Sequence, residues 1–142
     1  MDGELSALDI SATGLIAQRI RLNLVTENLA NAETTRGPDG GPYRRKLAVF
    51  GAEPAGTFGQ ALSAAEVSTV KVVEIQESEE APRAVYQPAH PDANPEGFVL
   101  MPNINPVLEM ADLLAATRAY EANVTAVQAA KSMANKALEI GR

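Results

Sequence analysis

The sequence predicts a mainly α protein with a small β-rich middle segment, its long N- and C-terminal helices packing on one another as a coiled-coil-like pair. Three features carry that prediction: a leucine column at seven-residue spacing near the start, a second apolar column near the end, and most of the Pro and Gly between them. The chain has 142 residues, enough for one ordinary domain and too few for two independent cores. Hydrophobic residues make up 46% but aromatic residues only 4%, so the apolar content is chiefly Ala, Val, Leu and Ile, which lets helices approach closely.

From Leu5 to Asn31 there is no Pro and the only Gly is Gly14, while Leu8, Leu15, Leu22 and Leu29 recur every seventh residue. This predicts one long amphipathic helix, with Gln18, Arg21 and Glu27 on its other face. The pattern stops at Thr34-Thr35-Arg36-Gly37-Pro38, where β-branched residues, Gly and Pro disfavour continuation, so a first unit spans residues 1–35. Asn28 and Asn31 fall on one side of that helix, where their amides suit a helix end, a neighbouring backbone or a subunit contact.

Residues 36–106 read as turns and short strands. The Gly/Pro turn at 37–42 leads into a β-like run from Tyr43 to Phe50, and a second run from Val67 to Ile75 is its expected partner. From Pro82 onward the prolines at 82, 88, 91, 95, 102 and 106 argue against regular ladders, leaving Arg83–Tyr86 and Gly97–Met101 as short extended pieces. Gly51–Ala65 has little pattern, and Glu77-Ser78-Glu79-Glu80 makes an acidic bend. On a strand Arg44 and Lys46 face one way and Arg45 the other, either deterring edge pairing or meeting the acidic bend of another subunit.

The third unit, residues 107–142, is a second helix starting near Pro106, a favourable first helical position, with Glu109 complementing the helix dipole and Gly141 ending the pattern. Leu113, Tyr120, Val127 and Ala134 recur by sevens, with Ala116, Val124 and Leu138 alongside, while Thr117 and Lys131 interrupt the stripe. Such an alanine-rich seam buries less apolar area than a Leu/Ile zipper, and the middle segment is too small to cover both stripes. Partner chains are therefore expected, together with disordered ends in an isolated copy.

Composition closes off other classes. There is no Cys and one His, which removes disulfides, thiol catalysis and most transition-metal sites; His90, between Ala89 and Pro91, reads as a surface or interface histidine. A net charge of -6 has the wrong sign for phosphate-backbone binding, so no nucleic-acid partner is expected. No Gly-x-Ser-x-Gly elbow or phosphate-binding loop occurs, so neither an enzyme nor a cofactor is expected. No run is apolar enough for membrane insertion, and the acidic start, Met-Asp-Gly-Glu, argues against a cleavable signal peptide.

Asn28-Leu29-Ala30-Asn31-Ala32-Glu33-Thr34 resembles the N-terminal motif of the rod and hook family, the axial proteins of the bacterial flagellum. Gly37–Gly40 with Pro42–Lys46, Val85–Pro91, Gly97–Ile104 and Arg118–Val124 follow in the order found in proximal-rod members of that family. The resemblance implies a helical tube with the terminal helices of many subunits as its inner domain and the β-rich segment outward. It also implies a drive shaft transmitting motor torque, in the basal body where the rod crosses the periplasm. Implied partners are copies of the chain, neighbouring rod proteins of the FlgB, FlgF and FliE types, and the flagellar type III export apparatus. Pattern and resemblance together place the assembly interface on Leu8, Leu15, Leu22, Asn28, Leu29 and Asn31 of the first helix. On the second helix they place it on Leu113, Tyr120, Asn123, Val124, Val127 and Leu138. The rival reading is a soluble helical adaptor or secretion chaperone binding a partner helix; it calls for a closed symmetric dimer, a rod subunit for heterologous contacts.

Overall fold

In the computed structural model, which describes residues 7–54 and 68–140, two long helices bracket two small antiparallel sheets. Helix α1 spans Ala7–Ala30 and helix α2 spans Pro106–Ile140. Strand β1 is Lys46–Pro54, β2 Ser68–Glu77, β3 Arg83–Tyr86 and β4 Phe98–Met101. The expected boundaries at Leu5 and Gly141, and the Pro-free run up to Ala7, lie outside the described residues, as do residues 55–65 of the unpatterned stretch.

α1 stops because Asn31 turns the chain on itself. The Glu27 carbonyl accepts both the Asn31 backbone N–H at 3.0 Å and its Nδ2 at 2.9 Å, while Thr34 donates through N–H and Oγ1 to the Asn31 carbonyl and Oδ1, each at 3.1 Å. α2 begins on Asn105, whose Oδ1 accepts Val107 N–H at 3.0 Å and whose carbonyl accepts Glu109 N–H at 3.0 Å, with Pro106 at the first helical position where no N–H is required.

The helices run antiparallel, and three contacts fix the line along which they meet. Arg21 Nη2 lies 3.2 Å from Asp112 Oδ1, and Asn28 Nδ2 donates to Glu109 Oε2 at 3.2 Å. A Cβ on Gly14 would sit 3.0 Å from Asn123 Nδ2. The contact residues are thus Gly14, Arg21 and Asn28 against Glu109, Ala116 and Asn123, each set spaced by sevens, with Ala116 fully buried. This corrects the expected seam: the leucine column and the Leu113/Tyr120/Val127 column flank the crossing and do not form it. Gly14, Ala17 and Ala116 supply the close approach that bulkier side chains at the crossing would prevent.

β1 and β2 pair from Lys46↔Glu77 to Pro54↔Ser68, with the register shifting where Val49 meets Glu74 and Phe50 meets Val72. Val73 is the extra residue of that bulge; a Cβ on Gly51 would come within 2.6 Å of Val73 Cγ2, so glycine makes room for the bulged side chain. β3 and β4 pair in full register from Arg83↔Met101 to Tyr86↔Phe98. This ladder overturns the expectation that the prolines prevent one, because Pro88, Pro91 and Pro95 sit in the connection, and Pro82 and Pro102 just outside the strands. The connection closes on Asn94, whose Oδ1 accepts Glu96 N–H and Phe98 N–H, and on Gly97 at φ 85°. Val99 and Met101 turn inward with Ile104, forming with Leu24, Val25 and Ala32 of the first unit most of the apolar core.

Candidate assembly interface

The β1–β2 sheet is fastened to the helix pair by a polar knot at the end of α1. Asn28 is 1% exposed, and its amide is fully engaged: Oδ1 accepts Lys46 N–H at 2.8 Å and Tyr43 O–H at 3.0 Å, while Nδ2 donates to the Lys46 carbonyl at 2.8 Å and to Glu109. Glu109, equally buried, receives Arg45 Nε at 2.5 Å on its other oxygen, and Arg45 reaches Asp112 at 3.4 Å. Lys46 Nζ pairs with Glu27 at 2.6 Å. Burial, with the carboxylates of Glu27, Glu77 and Glu109 nearby, pushes the Tyr43 phenol from 10.0 up to about 12.

A second tie sits on the post-helix loop, where Thr35 Oγ1 donates to Asp92 at 2.8 Å and Arg36 pairs with the same carboxylate at 2.5 Å. His90 Nδ1 accepts Asp92 N–H at 3.1 Å, so this histidine shapes the turn that presents Asp92. The cleft between this loop and the β3–β4 hairpin, about 510 Å³, is lined by Pro42, Ala84 and Phe98 beside those ion-paired groups. Among the described residues no three His, Cys, Asp or Glu gather as metal ligands, and no helix is long and apolar enough to cross a membrane.

Arg45, Glu109, Tyr43 and Lys46 escape the sequence reading as partners of one another. Alternation on a strand separates Arg45 from Arg44 and Lys46, but residues 42–45 precede β1 and follow no strand alternation. The acidic bend folds beside its own basic residues, with Ser78 N–H donating to the Arg45 carbonyl at 2.7 Å and Glu80 accepting from Asn103 at 3.0 Å. The signal that finds Glu109 is its place seven residues before Ala116 and fourteen before Asn123.

The structure places the predicted interface residues unequally. Asn28 is closed inside the knot, Asn31 ends α1, and Asn123 lies over Gly14. Leu15, Leu22 and Leu29 follow the contact residues Gly14, Arg21 and Asn28 by one position, about 100° round α1. Leu113 and Tyr120 precede Ala116 and Asn123 by three, about 60° round α2 in the same sense. Because the helices are antiparallel, these rotations open both columns on one side of the pair, where Leu15, Leu22, Leu29, Leu113, Tyr120, Val124 and Val127 are all half-buried. Thr13, one position before Gly14, lies round the opposite side, and its Oγ1 contacts Val70 N–H at 3.3 Å, so the β1–β2 hairpin covers that side. Leu8 is exposed, and so is every residue from Lys131 to Ile140, Leu138 among them.

Comparison with known proteins follows this geometry. Residues 8–38 match the family model described as flagella basal body rod protein, and residues 96–140 match that of the flagellar basal body rod FlgEFG protein C-terminal. The chain is 43% identical to the flagellar basal-body rod protein FlgC of Bacillus subtilis over 146 aligned residues, covering 96% of this chain and 97% of the relative. It is 41% identical to FlgC of Escherichia coli O6:H1, covering 97% and 98%, and 40% identical to FlgC of Aquifex aeolicus, covering 94% of each. Each matched family region contains one helix of the pair and its adjoining loop or strand.

Proposed function

The chain belongs to the FlgC family of flagellar basal-body rod proteins, and from that premise we propose that it is a proximal-rod subunit whose helix pair forms the inner wall of a helical drive shaft. It is a structural subunit of the flagellar basal-body rod and not an enzyme, and it assembles with copies of itself and other rod proteins. The finer reading is that it meets rod proteins of the FlgB, FlgF and FliE types, passes through the flagellar type III export apparatus, and crosses the periplasm as part of a torque-bearing tube. In this reading residues 1–35 and 107–142 make the inner domain and residues 36–106 the outer one.

The observation that supports it is the half-buried apolar face shared by the leucine column of α1 and the Leu113/Tyr120/Val127 column of α2, on the side away from the β1–β2 hairpin. A face of that kind gains most of its remaining burial from neighbouring helices, and a repeated subunit supplies them. Asn28, Asn31 and Asn123 act one step back, by fixing the angle at which the face is presented; Leu8 and then Leu138 extend it at the end where α2 runs past α1.

The reading is tested with Val127→Asp and Leu22→Asp in flagellated cells. A carboxylate in a packed helix interface costs several kcal/mol unless it is paired. Both variants are expected to be made and exported, to keep their helix content by circular dichroism once purified, and to be absent from isolated basal bodies of cells that do not swim. Glu79→Ala, on the exposed bend, is expected to swim normally. Swimming cells with either aspartate variant in the rod would remove this face from the assembly.

A further inference from the structure

Among the described residues one buried side-chain polar atom has no hydrogen-bond partner, the Oε1 of Gln18 on α1. Folded proteins pair nearly all such atoms, so a buried amide oxygen calls for a donor. Gln18 follows Gly14 by four residues and lies about 40° round α1 from it, at the edge of the crossing on the side of the leucine column. Because Gly14 meets Asn123 and Asn28 meets Glu109, Gln18 is level with about residue 119 of α2. Within one turn of that level Thr117 donates to the Leu113 carbonyl, and Arg118, two positions from Ala116, is exposed on the back of the helix. Tyr120 and Asn123 remain as side-chain donors.

Direction separates these two. Every helical side chain leans toward the N-terminus of its own helix. In an antiparallel pair Gln18 therefore leans toward the level of Gly14, while Asn123 starts at that level and leans back toward Gln18. Tyr120 starts nearly level with Gln18 and leans away, toward Glu109. The edges of the Asn123 amide are also free. Its Nδ2, Cγ and Oδ1 would lie 3.0, 3.2 and 3.2 Å from a Cβ on Gly14, so the amide plane faces the glycine and its N–H groups point along the seam, where they make no hydrogen bond among the described residues.

We propose that Asn123 Nδ2 donates to Gln18 Oε1, by rotation of the two amides about their broad terminal torsions, and that this pair is a positioning contact that sets the crossing angle of the helices. The knot fixes the crossing at Asn28, and Gly14 lies about 21 Å away along α1. A second fixed point at that distance determines the angle, which the small residues Gly14, Ala17 and Ala116 between the helices do little to hold by themselves. A slip of one helix by a turn leaves both amides unpaired against alanine and leucine, the penalty by which a buried amide selects one register. The pair is a property of the single subunit. Its consequence for assembly rests on the rod reading above, because the crossing angle decides how the leucine column and the Leu113/Tyr120/Val127 column lie together on the inner face.

The test is a double-mutant cycle on the purified full-length chain, with Gln18→Met, Asn123→Ala and the double variant unfolded in urea. Were the oxygen unpaired, Gln18→Met would stabilise the fold, and equally so with or without Asn123. Paired, Gln18→Met is expected to lower the midpoint in the natural background and not in Asn123→Ala, with a coupling of about fivefold in the unfolding equilibrium constant. A raised midpoint, or independent effects of the two substitutions, would overturn the proposal, as would the same coupling obtained with Tyr120→Phe in place of Asn123→Ala. NMR of the unmodified chain gives a reading that needs no variant: a nuclear Overhauser contact is expected between the Asn123 side-chain amide protons and the Gln18 methylenes, and its absence would equally overturn the pair. In flagellated cells Gln18→Met is expected to enter isolated basal bodies in smaller amount than the unmodified chain. Normal entry beside the measured coupling would overturn the role of the pair in presenting the inner face. Absence of the unmodified chain from basal bodies would remove the rod reading and leave the amide pair standing.

Discussion

Asn28 and Asn31 stand three residues apart, yet they serve different ends. Asn31 is spent on its own turn, capping α1 through Glu27 and Thr34, a use that helix-ending rules anticipate. Asn28 clamps both backbone groups of Lys46 and the carboxylate of Glu109, so one amide joins α1, the entry to β1 and the first turn of α2. No local pattern announces that use, because its partners are 18 and 81 residues away. Asn28→Asp replaces two donated bonds with an oxygen facing the Lys46 carbonyl and the Glu109 carboxylate. The expected loss is about 3 kcal/mol or more, read as a lowered urea midpoint; an unchanged midpoint would mean the knot carries no stability. The Tyr43 phenol supplies a pH signature of the same knot. Below pH 10 folded and unfolded chains both hold its proton, and between 10.0 and about 12 the unfolded chain releases it while the folded chain keeps it. Stability therefore falls as pH rises through that window. Tyr43→Phe is expected to flatten the fall in a pH series of urea titrations, and to remove the latest step of the tyrosinate absorbance titration.

At the scale of the elements, the helices and the β1–β2 hairpin are legible in the sequence because each rests on local periodicity. The seam between the helices is not, since the most apolar column is the natural choice and the crossing instead uses the least bulky residues. Gly14 reads in sequence as a tolerated flaw in α1, but opposite Asn123 it is the point of closest approach. The hairpin of β3 and β4 is hidden for a related reason: its prolines fall in the connection and at the strand margins, a placement visible only once the pairing is known. Gly14→Leu and Gly14→Ala separate spacing from helix propensity. Alanine gains up to about 1 kcal/mol of propensity and asks only that the Asn123 amide give way by a few tenths of an ångström, so its net effect is expected to be near neutral or stabilising. Leucine forces the helices apart, and a loss of about 1–3 kcal/mol in urea unfolding is expected. Equal stability of the two would show that the crossing has room to spare and that the small residues do not set it.

For the whole molecule, the apolar face on one side of the helix pair and the knot on the other divide the labour: the knot holds the β1–β2 hairpin within the chain, and in the proposed rod the face is left for neighbours. α2 carries that division beyond α1. The contact of Gly14 with Asn123 places Ala7, the first described residue of α1, about level with residue 130, and every residue from Lys131 to Ile140 is exposed, with Leu138 at 73% and Ile140 at 87%. A helical end with no side packed relies on propensity alone, which in water is marginal below about 12–15 residues. Amide hydrogen exchange on the dilute monomer is therefore expected to be fast from Lys131 to Ile140 and slow around Ala116, where the helices touch. In isolated basal bodies the same ten positions are expected to become protected, since neighbouring copies then cover Leu138 and Ile140. Protection of residues 131–140 in a monomer diluted well below any association would mean the end of α2 is stable on its own, and assembly would then join preformed helices without completing one.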